Sequence, residues 1–276
     1  MSFRFHYSVV VLMLWSGLAA GQLVGGPRLV TSVDAVESAT ARSAPDLASS
    51  TVLPRMAPEL ALRVFQERAA NQSEKLAGYS AITLIHAELP QSSQKGEFEL
   101  ERHYAAPHTL EFTALRYTGD GFVKNNVITR LLQSEVEHVK QDDRTTTAVN
   151  EANYKISYRG SGPLNGRIVH VYQVKPRKKR PGLFKGKIFL DAYTGAMVRA
   201  EGSVVKSPSF FVKKIEFVQD YAEVGSFTLP THIHSDAIAR VIGRTVVDIY
   251  HRDYQPVAAG VQSAQHASSD SLISAQ

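Results

Sequence analysis

Cysteine is absent from this 276-residue chain. That single absence removes disulfides, thiol nucleophiles, zinc–thiolate sites and iron–sulfur clusters together. It also removes a lipid-modified N-terminal cysteine as an anchor. Long apolar runs are missing as well: the apolar stretch from Val9 to Trp15, with Leu18, is shorter than the roughly 20 residues a membrane span needs. No Gly-x-Ser-x-Gly elbow surrounds any serine, and no oxyanion-hole motif accompanies one, so nucleophilic hydrolysis has no local signature. Charge of one sign is in only small excess, with a net value of +5, which argues against a nucleic-acid-binding surface spread over the whole molecule. What remains, at 43% hydrophobic and 21% charged residues, is the ordinary makeup of a globular protein.

The short apolar stretch has its own meaning. Arg4 precedes it and Ala19, Ala20 and Gly21 follow it, the order of charge, apolar core and small residues found in a cleavable export signal. Residues 1–21 are therefore expected to be a signal peptide, with the product working in a periplasm. Residues 22–54, mostly small and polar without sustained periodicity, are expected to form a flexible leader, and residues 258–276 a disordered tail. The folded part then spans residues 55–257 as one domain.

Within it, Pro58 opens an amphipathic helix expected to reach Lys75, with Leu60, Val64 and Phe65 as its apolar stripe and Gly78 just past its end. Strands follow with period two. Phe98, Leu100 and Tyr104 oppose Glu97, Glu99, Glu101 and His103, and Leu110 and Phe112 share a face after Pro107. Tyr154 to Tyr158, Ile168 to Val174, and Ile188 with Leu190 continue the series. Phe211, Ile215 and Phe217 follow, then Phe227, Leu229 and Ile233, with Val241 to Ile249 last. Nine strands are expected, and Asn126–Lys140 fits helix or strand equally. The fold class is mainly β with few helices: a strongly curved antiparallel sheet forming an incompletely closed barrel, covered by the N-terminal helix. Gly202 and Gly243 are expected to mark bends that let the sheet curl.

Three constellations carry some chemistry. His232 and His234 share a strand face with Asp236 nearby, a donor set a metal would use only if the three converged in a recess. Phe227, Leu229 and Ile233 claim the inside of that strand, which puts the histidines outside, and no metal site is assigned. His251 with Asp253 is a conceivable dyad, with Ser161 or Ser207 as nucleophile, but nothing links them in sequence and no catalytic residue is assigned. Finally, seven basic residues fall between Lys175 and Lys187 with no acid among them. Pro176, Pro181, Gly182 and Gly186 make this a hairpin loop, and Arg177, Lys178, Lys179 and Arg180, with Phe184 at its tip, are the expected membrane- or partner-facing element.

The order of pieces resembles the LolA/LolB-like lipoprotein-carrier superfamily. The likeness is carried by Phe98–Phe112 with Pro107 at its turn, by Gly119-Asp120-Gly121-Phe122, by Ile188-Phe189-Leu190-Asp191-Ala192-Tyr193-Thr194-Gly195, and by Phe217–Pro230 ending in Leu-Pro. The resemblance implies a half-open barrel around a hydrophobic cavity for acyl chains. Phe98, Leu100, Tyr104, Leu110, Phe112, Ile188, Leu190, Phe211, Ile215, Phe217, Phe227 and Leu229 would line that cavity, and the N-terminal helix would pivot as its lid. It implies no cofactor, a lipid or acylated protein as ligand, a membrane-bound donor or acceptor, and no nucleic acid. One departure is plain. The carriers' second strand tends to end in Arg-Pro, whose arginine latches the lid; here that dipeptide is Ala106-Pro107. A non-carrier sensory or interaction protein on the same scaffold is the alternative reading, and an extracytoplasmic hydrolase or metal enzyme a more distant one.

Overall fold

The computed structural model describes residues 54–141, 147–206 and 212–259. The expected signal, nearly all of the leader and tail, and Ser207 and Phe211 lie outside the described residues.

Helix α1 runs Pro58–Lys75, opened by a proline that has no N–H to leave unpaired. It buries Ala61 and Phe65, with Leu62 packed beside them. Burying the Phe65 ring contributes roughly 1.5–3 kcal/mol. The expected stripe is thus rotated: Leu60 is 39% exposed and plays no part in the contact. The reason is the closeness of the docking. Gly195 lies so near α1 that a Cβ there would stand 2.8 Å from Val64 Cγ1 and 3.2 Å from the Ala61 carbonyl oxygen. Only the absence of a side chain at position 195 lets the helix sit that low.

Ten strands follow rather than nine. They are β1 Leu76–Leu89, β2 Gln94–Ala105, β3 Thr109–Gly119, β4 Tyr154–Leu164 and β5 Arg167–Pro176. Then come β6 Phe184–Asp191, β7 Met197–Val204, β8 Val212–Val224, β9 Phe227–Ala239 and β10 Gly243–Ala258. The ambiguous segment is helical: a first turn α2, Gly121–Val123, a π-helical turn Lys124–Ile128, and α3, Thr129–Gln141. Asp120 starts it by accepting a hydrogen bond from the Phe122 amide at 2.7 Å.

All ten strands form one antiparallel sheet in the order β3-β2-β1-β10-β9-β8-β7-β6-β5-β4. Two meanders are joined where β10 returns to pair with β1, placing Ile85 beside Ile249. The sheet curls, and β3 and β4 stand at its two ends without pairing, so the barrel is incompletely closed. This topology dictates the position of α2 and α3. They lie in the connection between the two outermost strands, and that connection has to travel from one free edge to the other. It does so over the inner face, where Val123, Val127, Ile128, Leu131 and Leu132 pack on Ile85, Leu100, Ile233, Val247 and Ile249.

Glycine shapes the curl at β6 and β7. Gly186 and Gly202 face each other in register, and a Cβ on Gly186 would meet the Glu201 carbonyl at 1.8 Å. Gly243 is the first residue of β10, where the chain leaves the β9–β10 hairpin, with φ +77. Substituting Gly195→Ala (φ +67) should cost about 1–3 kcal/mol in urea unfolding, from left-handed strain plus the clash with Val64. Gly225→Ala is the matched control, since φ is +60 there and no atom lies within 4 Å of the added Cβ. The difference between the two variants measures how tightly α1 is seated.

Candidate functional site: the covered inner face

The face that matters is the one the helices cover. Along β1 it presents Tyr79, Ala81, Thr83, Ile85, Ala87 and Leu89, all buried. The neighbouring strands add Leu100 and Tyr104, Val247, Ile249 and His251, and Phe227, Leu229 and Ile233. Phe211 apart, which lies outside the described residues, the expected lining residues fall on this face or close to it, but they do not meet as one group. Leu100, with Phe98 and Phe112 beside it, packs under α2 and α3. Ile188, Leu190 and Phe217 form a second cluster with Phe65 of α1. Tyr104, Leu110, Phe227 and Leu229 form a third, against which Val136 and Val139 of α3 also lie. Ile215 belongs to a small fourth cluster with Val212 and Ala237.

The two helical covers are held differently. α1 is tied at both ends. The Met56 amide donates to the Ala192 carbonyl at 2.8 Å, and Tyr172 Oη donates to the Pro58 carbonyl at 2.6 Å. At the other end the Gln72 side chain exchanges two hydrogen bonds with the backbone of Thr228, and Arg68 pairs with Glu223. A lid that pivots on α1 would have to break all of these, so the expectation that the N-terminal helix is the moving part does not suit this geometry.

α3 meets the sheet through an arginine that sequence reasoning passed over. Arg102 follows Leu100 by two positions on β2, so it turns inward with Leu100 and Tyr104. It donates through Nε to Tyr79 Oη at 2.9 Å, lies 5.4 Å over the Phe112 ring, and pairs through Nη1 with Glu135 of α3. Both members of the ion pair are only 14% exposed. Burial acts to lower the Arg102 pKa, but Glu135 and Tyr79 outweigh it and hold the guanidinium above its ordinary value. Burial in turn raises the Tyr79 phenol, with Arg102 opposing.

Beside them lies His251, whose Nδ1 is 2.9 Å from Thr83 Oγ1. Burial, and after it the charge of Arg102, lowers His251 to about 3. Two further inward polar groups, Gln219 Oε1 and Thr245 Oγ1, are buried without a hydrogen-bond partner among the described residues.

The other expected constellations come apart. His251 and Asp253 do not form a dyad: the imidazole is inside, while Asp253 is exposed and pairs with Arg252. Ser161 is exposed on β4. His232 and His234 lie on the opposite, outer face, and both contact Asp248 Oδ1 at 2.9 Å. Their hydrogen bonds hold the Asp248 carboxyl below its usual range although burial opposes the shift. Asp236, the third donor considered from sequence, is taken by Arg244 instead, at 2.7 Å. Among the described residues no group of three His, Asp or Glu side chains is arranged to hold a metal.

The basic hairpin is a loop as expected, between β5 and β6, but its tip is not apolar. Leu183 and Phe184 are buried, Phe184 packing edge-on against Tyr154 and Phe217. They anchor the loop from within, so Phe184 does not face a membrane or partner. Arg177 donates to the Glu151 carbonyl and Arg180 to Asn153 Oδ1 at 2.8 Å; Lys178 and Lys179, between them, are exposed.

No family model matches the chain, and no curated protein matches it. Solved structures do. The chain is similar to an outer membrane lipoprotein-sorting protein domain from Vibrio parahaemolyticus, with 12% identity and a TM-score of 0.41, over 74% of this chain and 94% of that one. It is similar to a LolA superfamily protein from Nitrosomonas europaea, with 7% identity and a TM-score of 0.39, over 72% and 93%. A DUF1329 family protein from Desulfovibrio piger follows, with 9% identity and a TM-score of 0.38, over 74% and 94%. Identities this low concern fold alone, and the functional reading rests on the inner face of this chain.

Proposed function

We propose that the chain is an exported binding or carrier protein for hydrophobic ligands, namely an acyl chain, a lipid or an acylated protein. It performs no covalent chemistry and works in the periplasm between membranes. One observation carries this reading. The apolar inner face of an open sheet is covered by helices from an edge-to-edge connection, not by a second sheet. Such a cover can leave without breaking the ladder of β pairs. If α2 and α3 lift, the places of Val127, Leu131 and Leu132 against Ile85, Leu100 and Ile249 become available to methylenes. At ~0.8 kcal/mol each, about 14 buried methylenes contribute up to ~11 kcal/mol, less the cost of opening. Gln219 Oε1 and Thr245 Oγ1, unpaired among the described residues, would meet polar atoms of the ligand.

The test is native mass spectrometry of gently purified protein, followed by uptake of a neutral fluorescent acyl probe by the delipidated chain. Co-purified lipid or saturable uptake is expected. A preparation that carries no lipid and takes up no probe would sink the carrier reading.

A second element supports hand-off at a membrane. With Arg177 and Arg180 fastened to the 151–153 turn, the loop holds Lys178 and Lys179 outward in a defined shape. Near an anionic bilayer each basic residue contributes about 1 kcal/mol. Lys178→Ala with Lys179→Ala should therefore weaken binding to phosphatidylglycerol vesicles about tenfold or more, while probe uptake is unchanged. An undiminished vesicle affinity would assign the loop no membrane role and leave docking to a protein partner as its use.

A further inference from the structure

We propose that Arg102 is the receptor for a carboxylate head on the ligand, and that Glu135 occupies this receptor when the cover is shut. The inference rests on the carrier reading above and names its ligand class: single-chain carboxylate amphiphiles, of the fatty-acid kind.

An arginine on the apolar side of a strand is costly unless it is paired and hydrogen-bonded. Arg102 has two kinds of partner. Tyr79 and Phe112 belong to the sheet and stay with it; Glu135 belongs to α3 and leaves with it. When α3 lifts, the guanidinium keeps its hydroxyl and its ring but loses its counter-charge. What it then lacks is a carboxylate, the group whose planar fork matches its own. A ligand carboxylate restores the pair, so the exchange of heads is close to neutral and burial of the tail drives it. A neutral head leaves Arg102 uncompensated.

The position suits this role. The pair keeps a little water contact, while Leu100, two residues along the same strand, is wholly buried under the cover. A head at Arg102 puts the tail along that strand, into the place held by Leu131 and Leu132. Glu135 is then an internal competitor, and its removal favours the ligand.

The experiment uses the full delipidated chain at pH 8. Dodecanoate, 1-dodecanol and dodecyl phosphate displace a bound fluorescent probe, each kept below its micelle concentration. Dodecanoate is expected to bind about tenfold or more tighter than dodecanol, the worth of one charge-assisted pair, and tighter than dodecyl phosphate. Glu135→Gln should strengthen dodecanoate binding several-fold relative to dodecanol. In Arg102→Met with Glu135→Leu, the ratio of the dodecanoate and dodecanol affinities should fall to about one. Equal wild-type affinities for acid and alcohol, or tighter binding of the phosphate, would overturn the carboxylate receptor while leaving the acyl site standing. Failure of all three ligands to bind would bring down the carrier reading itself, and this inference with it. The wild-type comparison needs no variant to fold.

Discussion

Arg102→Met alone should lower the free energy of unfolding by about 3–5 kcal/mol, and adding Glu135→Leu should return most of that loss. The asymmetry follows from what each change leaves behind. Arg102 and Glu135 are 14% exposed and face each other between β2 and α3. Removing the guanidinium leaves Glu135 without the Arg102 counter-charge in a largely dry site, and takes one hydrogen-bond donor from the Tyr79 hydroxyl. Breaking one half of a buried pair is strongly destabilising, whereas replacing both halves by apolar groups of similar volume is often neutral. Met extends over Phe112 much as the arginine stem does, and Leu on α3 has Val136 as its neighbour in the chain. Urea unfolding of wild type, both single variants and the double variant closes the cycle. A double variant as unstable as Arg102→Met would show that the pair does not hold α3 and that the loss came from elsewhere. Because α3 lies on the inner face of the sheet, the same cycle read by proteolysis inside α3 separates loosening of the cover from global unfolding.

That pair was within reach of the sequence. On β2 the alternation runs Phe98, Leu100, Arg102, Tyr104 on one side and Glu97, Glu99, Glu101, His103 on the other. A single arginine in the apolar parity of a strand is the signal, because burial at that position demands a partner. The partner was the harder half. Val127, Ile128, Leu131, Leu132, Val136 and Val139 recur at helical spacing, but the segment opens with asparagines and β-branched residues. A strand reads equally well until the edge-to-edge connection is known. Register between β1 and β10, which joins residues near the two ends of the domain, decides that connection, and local pattern carries no trace of it. The strands themselves were legible because their inner and outer residues differ so sharply in polarity. So was the outward placement of His232 and His234, since Ile233 between them is claimed by the core. The rotation of α1 was not legible: it depends on how near Gly195 lets the helix come. The burial of Leu183 and Phe184 was missed for a related reason. A hairpin rich in lysine and proline reads as wholly exposed, yet Leu183 just before β6 and Phe184 at its start fill the cluster beneath Tyr154.

Acidification from pH 7 to pH 5 should remove about 2 kcal/mol of stability through His251 alone. In the folded chain His251 is 8% exposed, and burial and the neighbouring Arg102 charge lower it to about 3. In the unfolded chain it returns to about 6.5. Between those two values the unfolded state binds the proton and the folded state does not, so stability rises with pH across the window and is lost as pH falls through it. Below about pH 3 both states are protonated and the loss is complete. Carboxylates such as Asp248, whose folded value is depressed, lose their contribution lower in the scale, and the other histidines are common to wild type and variant, so the comparison with a His251 variant isolates this imidazole. His251→Gln keeps a hydrogen-bonding group beside Thr83 and cannot titrate. Its unfolding free energy should therefore change less between the two pH values than that of wild type, by about 2 kcal/mol, whatever its absolute stability. Equal slopes for the two proteins would mean that His251 reaches water and its proton without unfolding, through a cover that opens on its own. The result thus bears on the carrier reading as well as on stability. A neutral imidazole keeps the ground next to Arg102 free of a second positive charge, and the chain holds that arrangement only while the inner face stays closed to water.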